Sequence, residues 1–86
     1  MLLIAVYRMA FSKDVSRLDP SISKRIRQSI EERLTTRPMD FGKPFRHTIQ
    51  ALWSLRVGDW RVIYKIAGQE IYILRIGHRS EIYGIF

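Results

Sequence analysis

Two arginines flank a two-residue turn signal in the second half of the chain. Arg56 and Arg61 stand on either side of Gly58-Asp59, each on the face of its predicted strand opposite the alternating apolar residues. Two guanidinium groups on paired strands can bind one phosphate through directional, charge-assisted hydrogen bonds. Each arginine could instead extend into water or pair with an acid such as Glu81, so the pattern alone leaves both interpretations open.

A second polar group follows the last predicted strand. His78, Arg79 and Tyr83 combine a side chain that titrates near neutral pH, a permanent cation and an aromatic ring. Such residues can transfer a proton, hold charge on a phosphate and stack on a base. His78 could equally be an ordinary surface residue, and Tyr83 could pack against the apolar residues that follow it.

The hydrophobic pattern predicts one α+β domain over residues 1–86, with the order β-α-α-β-β-β. We expect a helical hairpin on one face of a mainly antiparallel four-stranded sheet. The predicted elements are a buried strand at 2–8, a helix at 13–18 with Ser12 as its N-cap, a helix at 21–35 capped by Asp19, a loop at 36–48, and strands at 51–57, 60–66 and 70–76.

The composition narrows the classes of function. A formal charge of +7 favours polyanionic partners. The absence of cysteine and the presence of only two histidines argue against disulfides and metal sites, so we expect no metal and no cofactor. The apolar run at 2–6 is too short to span a membrane and has no basic segment before it, which leads us to expect a cytoplasmic protein.

The sequence also resembles a known superfamily, that of the RelE/ParE toxins. The resemblance covers nearly the whole chain, and its most specific part is the run LRVGDWRVIY followed by GHR. The motifs that carry it are Gly42-Lys43-Pro44, the segment from Leu52 to Tyr64, Ile76-Gly77-His78-Arg79 and Glu81-Ile82-Tyr83.

The resemblance implies a toxin of a type II toxin–antitoxin module, with a cognate antitoxin as partner. RelE-like members cut mRNA on the ribosome without a metal, by attack of a ribose 2′-hydroxyl on the adjacent phosphate. On that mapping Arg61 stabilises the phosphate, Arg79 assists it and the leaving group, Tyr83 stacks on or orients a base, and His78 takes one proton transfer. The implied RNA-binding residues are Arg56, Lys43, Arg46 and Ser54.

One departure from the family concerns lysines. Well-studied RelE members carry lysines at the positions aligned with Leu52 and Ser54, and this chain has neither. The general base is therefore unassigned, and Lys43, Arg46 or His47 are candidates for the missing charge. Two alternatives follow: a ParE-like toxin that inhibits DNA gyrase without nuclease activity, and a catalytically decayed homologue that only binds its antitoxin. The short end after Tyr83 is expected to leave the site open.

Overall fold

The computed structural model of the protein describes residues 2–45 and 50–86. Its elements are β1 (Ile4–Tyr7), α1 (Met9–Ser16), α2 (Pro20–Ser29) continued by a π-helical turn (Ile30–Leu34), α3 (Pro38–Phe41), β2 (Lys43–Phe45), β3 (Leu52–Val57), β4 (Trp60–Ala67), β5 (Glu70–His78) and α4 (Ile82–Ile85). The strands form one sheet in the order β1-β5-β4-β3-β2. The β1–β5 pair is parallel and the other pairs are antiparallel.

The main core lies between the sheet and the helical hairpin of α1 and α2. Period-two alternation puts Leu55, Val62 and Tyr64 on the face that meets Phe11 and the helices, as the sequence predicts. The α+β class and the helical hairpin on one face are thus confirmed. A smaller core on the opposite face is covered by α4 and consists of Phe45, Leu52, Ile63 and Ile82, with Leu74 and Ile85 packed against them.

The segment from residue 36 to 45 corrects the predicted loop. It forms α3 and then β2, which pairs with β3, so the sheet has five strands rather than four. The Tyr64 hydroxyl donates a hydrogen bond of 2.5 Å to the Pro38 carbonyl oxygen, which ties α3 to the central strand. The Cβ of any other residue at Gly42 would lie 1.7 Å from that hydroxyl, so the chain approaches Tyr64 as closely as it does only because residue 42 is glycine.

Helix α1 and strands β1 and β5 also differ from the prediction. Helix α1 begins at Met9, with Arg8 rather than Ser12 as its N-cap residue. Strand β1 is not buried: it forms an edge of the sheet, and Ile4 is 61% exposed. Strand β5 runs through Gly77 to end at His78.

The predicted start of the second helix is confirmed. Asp19 precedes Pro20, and its side chain accepts a hydrogen bond of 2.9 Å from the Ser21 N–H. This N-cap bond satisfies one of the amide groups that the first turn of a helix leaves unpaired.

An ion pair joins α1 to the part of β5 that extends beyond β1. The Arg75 guanidinium donates two hydrogen bonds to Asp14, at 2.8 and 2.9 Å. Asp14 also accepts the Ile76 N–H at 3.0 Å. Among the described residues no strand lies beside this part of β5, so these bonds occupy an edge of the sheet. The Asp14 carboxylate raises the pKa of Arg75.

Within the described ranges, none of the helices has the length and apolar character needed to cross a lipid bilayer.

Candidate functional site

A cleft of about 800 Å³ opens on the sheet face that α4 partly covers. It lies between strand β2, the adjoining strands β3 and β4, and the segment that follows β5. The residues that line it are Lys43, Pro44, Phe45, Ser54, Arg61, Arg79, Ser80, Ile82 and Tyr83. Five residues singled out in the sequence therefore meet here: Lys43, Ser54, Arg61, Arg79 and Tyr83.

Arg61 is held at the cleft by the backbone of the β3–β4 turn. Its Nη1 donates hydrogen bonds of 3.0 Å to the carbonyl oxygens of Gly58 and Trp60. Arg56 is its direct partner across the antiparallel pair. The two arginines also line a smaller groove of about 190 Å³ beside the cleft, so the sheet presents both cations to the same region of surface.

Arg79 is positioned by the same turn. Its backbone N–H donates to the Asp59 carbonyl oxygen at 2.8 Å, and its Nε lies 3.7 Å from Asp59 Oδ1. Both side chains of this ion pair are more than half exposed, so water screens the attraction and a phosphate can compete for the guanidinium. The sequence identifies Gly58-Asp59 only as a turn, and this second role of Asp59 could not be read from the chain.

Lys43 reaches the cleft from β2. It pairs directly with Ser54 on β3, the position at which RelE members carry a lysine. An edge strand thus brings a lysine beside a position where this chain has a serine. Leu52, the other such position, is buried in the smaller core and presents no charge.

Tyr83 stacks on a buried ring. Its ring lies 5.6 Å from that of Phe45 with an interplanar angle of 13°, and 56% of the tyrosine is exposed. Helix α4, which carries Tyr83, packs closely on β5, because a Cβ on Gly77 would lie 3.0 Å from Ile82 Cδ1 and 3.2 Å from Ile85 Cδ1. A side chain at residue 77 would therefore push against these two isoleucines of α4.

The structure does not bring His78 into the cleft. His78 pairs with Trp60, whereas Gly77 pairs with Arg61, so the histidine belongs to the sheet face that the main helices cover. Its ring packs edge-on against Trp60 at 5.5 Å, and its Nδ1 lies 2.8 Å from Ser80 Oγ. Two other candidates, Arg46 and His47, lie outside the described residues.

The family model described as "ParE toxin of type II toxin-antitoxin system, parDE" matches residues 5–83. The chain is 32% identical over 73 residues to Toxin RelG of Mycobacterium tuberculosis, an alignment that covers 83% of this chain and 84% of that protein. It is also 32% identical over 74 residues to Toxin RelE of the same organism, covering 84% of this chain and 76% of the other.

Two solved toxin–antitoxin complexes contain a similar fold. A chain of the RelBE2 complex from Mycobacterium tuberculosis superposes with a TM-score of 0.81 and 26% identity, covering 92% of this chain and all of that one. A chain of the RelB–RelE complex from Methanococcus jannaschii superposes with a TM-score of 0.72 and 26% identity, covering 94% and 98%. With the sequence matches, these similarities show that the chain belongs to the RelE/ParE superfamily and is a toxin of a type II toxin–antitoxin system.

Proposed function

We propose that this toxin is a ribosome-dependent endoribonuclease that cuts mRNA in the cytoplasm. The observation that carries the proposal is the presence of Arg61, Arg79 and Lys43 around one open cleft. The described lining of the cleft holds these three cations and no carboxylate. Such a lining favours direct stabilisation of a phosphate by side chains over coordination of a divalent cation, which prefers oxygen ligands.

The reaction is an internal transesterification. The ribose 2′-oxygen bonds to the adjacent phosphorus, the bond from phosphorus to the 5′-oxygen breaks, and the products are a 2′,3′-cyclic phosphate and a 5′-hydroxyl. Arg61 and Arg79 stabilise the negative charge that develops on the phosphorane, and Arg56 supports the same grip from the neighbouring strand. Tyr83 stacks on a base next to the scissile bond.

The cleavage needs one proton removed from the 2′-hydroxyl and one delivered to the departing 5′-oxygen. In the described lining of the cleft, the titratable groups other than arginine are Lys43 and Tyr83. We assign the proton transfers to these two residues and leave His78 out, because it lies on the other face of the sheet.

Mutation of Arg61 tests the proposal. Loss of one preorganised donor to an oxyanion lowers rates by about 100- to 1,000-fold, so Arg61→Ala should reduce mRNA cleavage on programmed ribosomes by that factor. Lys65→Ala is the matched control, because Lys65 is an exposed cation on the same strand and the same face, near the far end of β4. Cleavage by Arg61→Ala at the rate of the Lys65→Ala protein would refute the proposed role.

A second candidate function is inhibition of DNA gyrase without RNA cleavage. The absence of the family lysines at Leu52 and Ser54 favours it, as does the match to a family named for ParE toxins. The kind of damage in cells separates the two functions. Transcripts shortened at ribosomes identify the nuclease, and broken DNA with an induced repair response identifies the gyrase inhibitor. Expression without growth arrest would instead indicate a decayed toxin.

We also propose that a cognate antitoxin silences the protein by covering the basic cleft. The two structural relatives described above are complexes of a toxin with an antitoxin. An acidic or amphipathic segment that orders on the cleft would neutralise its cations and exclude RNA. Co-expression of the neighbouring small gene should therefore restore growth, and persistent arrest would contradict this partner.

A further inference from the structure

A second pocket, of about 300 Å³, lies between α2 and the β3–β4 turn. Its polar and aromatic lining residues are two arginines, one tryptophan and one aspartate: Arg25, Arg56, Trp60 and Asp59. Guanidinium groups bind phosphates through paired hydrogen bonds, and indole rings bind bases through stacking. The pocket thus has both kinds of group that a nucleotide requires.

Arg25 lies directly over the turn. Its Nη1 and Nη2 are 3.5 and 3.7 Å from the position that a Cβ on Gly58 would occupy. Gly58 has a φ of 60°, so glycine is favoured there for its backbone conformation. Within the described residues the side chains of Arg25 and Arg56 form no hydrogen bond or ion pair, which leaves their guanidinium donors available to a ligand.

The acid in the pocket does not cancel these charges. Asp59 adds one negative charge to the pocket, whereas Arg25 and Arg56 add two positive charges, so the lining keeps a net positive charge. The Asp59 carboxylate also lies 3.7 Å from the Arg79 guanidinium. Trp60 is half-buried and has its ring packed edge-on against His78, so its orientation is fixed before any ligand arrives.

Arg56 connects this pocket to the cleft. It lines the pocket together with Arg25, and it also lines the smaller groove together with Arg61 and Lys43. Strand β2 pairs with β3 only as far as Ser54, so in the described part of the chain no strand covers the outer edge of β3 at Arg56. The two linings thus place cations beside the cleft, at the edge of β3 and on α2.

We propose that Arg25 and Arg56 form a second binding site for an RNA phosphate, with Trp60 contacting the adjoining base. This inference rests on the proposed function, since it extends the grip of the cleft along the same RNA. The ligand is a phosphodiester of RNA, supplied either by the mRNA that is cut or by ribosomal RNA beside it.

The test measures binding by Arg25→Gln, Arg25→Lys and a control, Lys24→Gln. Lys24 is an exposed cation on the same helix that does not line the pocket. The probes are uridine oligonucleotides of three and nine residues with 2′-fluoro sugars, which lack the attacking hydroxyl, and ribosomes without mRNA. Equal thermal unfolding midpoints for the variants and the wild type establish that all of them fold.

We expect Arg25→Gln to weaken binding of the nine-residue probe about tenfold and to leave the three-residue probe unchanged. The slope of log K against log salt for the longer probe should become shallower by about 0.7, the value for one phosphate contact on a single strand. Arg25→Lys should recover the salt slope but only part of the affinity, because lysine keeps the charge and loses the fork. Lys24→Gln should match the wild type.

The nine-residue oligonucleotide and the ribosomes without mRNA distinguish the source of the phosphate. Weaker binding to the oligonucleotide identifies the substrate strand, and weaker binding only to ribosomes without mRNA identifies ribosomal RNA. If Arg25→Gln binds both probes like the wild type, or loses affinity only for the antitoxin, the second site is refuted. A wild type that binds RNA through Arg25 and yet cuts no mRNA would refute the proposed function alone.

Discussion

The contact between Gly42 and Tyr64 predicts a specific coupling between two substitutions. In Gly42→Ala the added Cβ would lie 1.7 Å from the Tyr64 hydroxyl, about half the separation of an ordinary contact. The hydroxyl must move by more than 1 Å, which breaks its bond to the Pro38 carbonyl oxygen. A buried donor left without a partner costs about 1–3 kcal/mol, and overpacking costs about 1–3 kcal/mol more.

Tyr64→Phe removes the hydroxyl and keeps the ring. It should lower the free energy of unfolding by about 1–2 kcal/mol, the value of one lost hydrogen bond and an unpaired carbonyl. In that background Gly42→Ala no longer meets the hydroxyl, although Cζ at 2.8 Å and the Pro38 oxygen at 3.0 Å remain close. The double variant should therefore be more stable than the sum of the two single losses predicts, by about 1–3 kcal/mol.

Urea denaturation of the wild type, both single variants and the double variant measures this coupling. The single Gly42→Ala protein should also melt at least about 10 °C below the wild type, since 1 kcal/mol shifts the midpoint of a domain of this size by about 4–8 °C. Strictly additive losses would show that Gly42 does not make room for the Tyr64 hydroxyl, and that α3 and β2 are held in place by other contacts.

Two further predictions concern the turn and the central strand. Asp59→Asn should keep the fold but leave Arg79 without its carboxylate partner. We therefore expect the rate of RNA cleavage to change by less than tenfold and to depend more steeply on salt concentration, and an unchanged salt dependence would contradict the pairing. Burial raises the pKa of Tyr64 above the ordinary value of about 10, so its contribution to stability is complete below pH 10 and is lost as the pH rises beyond it. Between pH 10 and 11.5 the free energy of unfolding should fall less steeply for Tyr64→Phe than for the wild type. The difference between the two slopes should be up to about 1.4 kcal/mol per pH unit, and equal slopes would count against this burial effect.

The sequence alone was sufficient for the β3–β4 hairpin. The apolar residues at every second position, on either side of Gly58-Asp59, predict both strands, their two faces and the turn that joins them. The two-residue turn sets the register of the whole pair and so makes Arg56 and Arg61 partners. Local spacing is enough here because the pairing residues are close in the chain.

The strand β2 could not be predicted in the same way. It has three residues, one of them Pro44, and it depends on pairing with β3. The helix α3 that precedes it is bonded to Tyr64, which lies 26 positions from Pro38. No periodic pattern within residues 36–45 carries that information.

The sequence groups His78 with Arg79 and Tyr83 because the three are close in the chain. In the structure β5 continues past residue 76, and its alternation through Gly77 places the histidine on the other face of the sheet. The start of α1 is likewise not predicted, because no turn residues separate it from β1. The Arg8 N–H still bonds to the Ile73 carbonyl oxygen, so the chain passes from the sheet to the helix without a loop.

The position of Lys43 connects the stability of the fold to the chemistry of the cleft. Neither Leu52, which is apolar and buried, nor Ser54 carries the charge of a lysine. The residue that pairs with Ser54 across the sheet, Lys43, does carry that charge. That lysine directly follows Gly42, the residue that lets the chain pass close to Tyr64. If Lys43 supplies the missing charge, a substitution at Gly42 that moves β2 should reduce cleavage as well as stability. Tyr64→Phe leaves room for β2 and should therefore affect stability far more than cleavage.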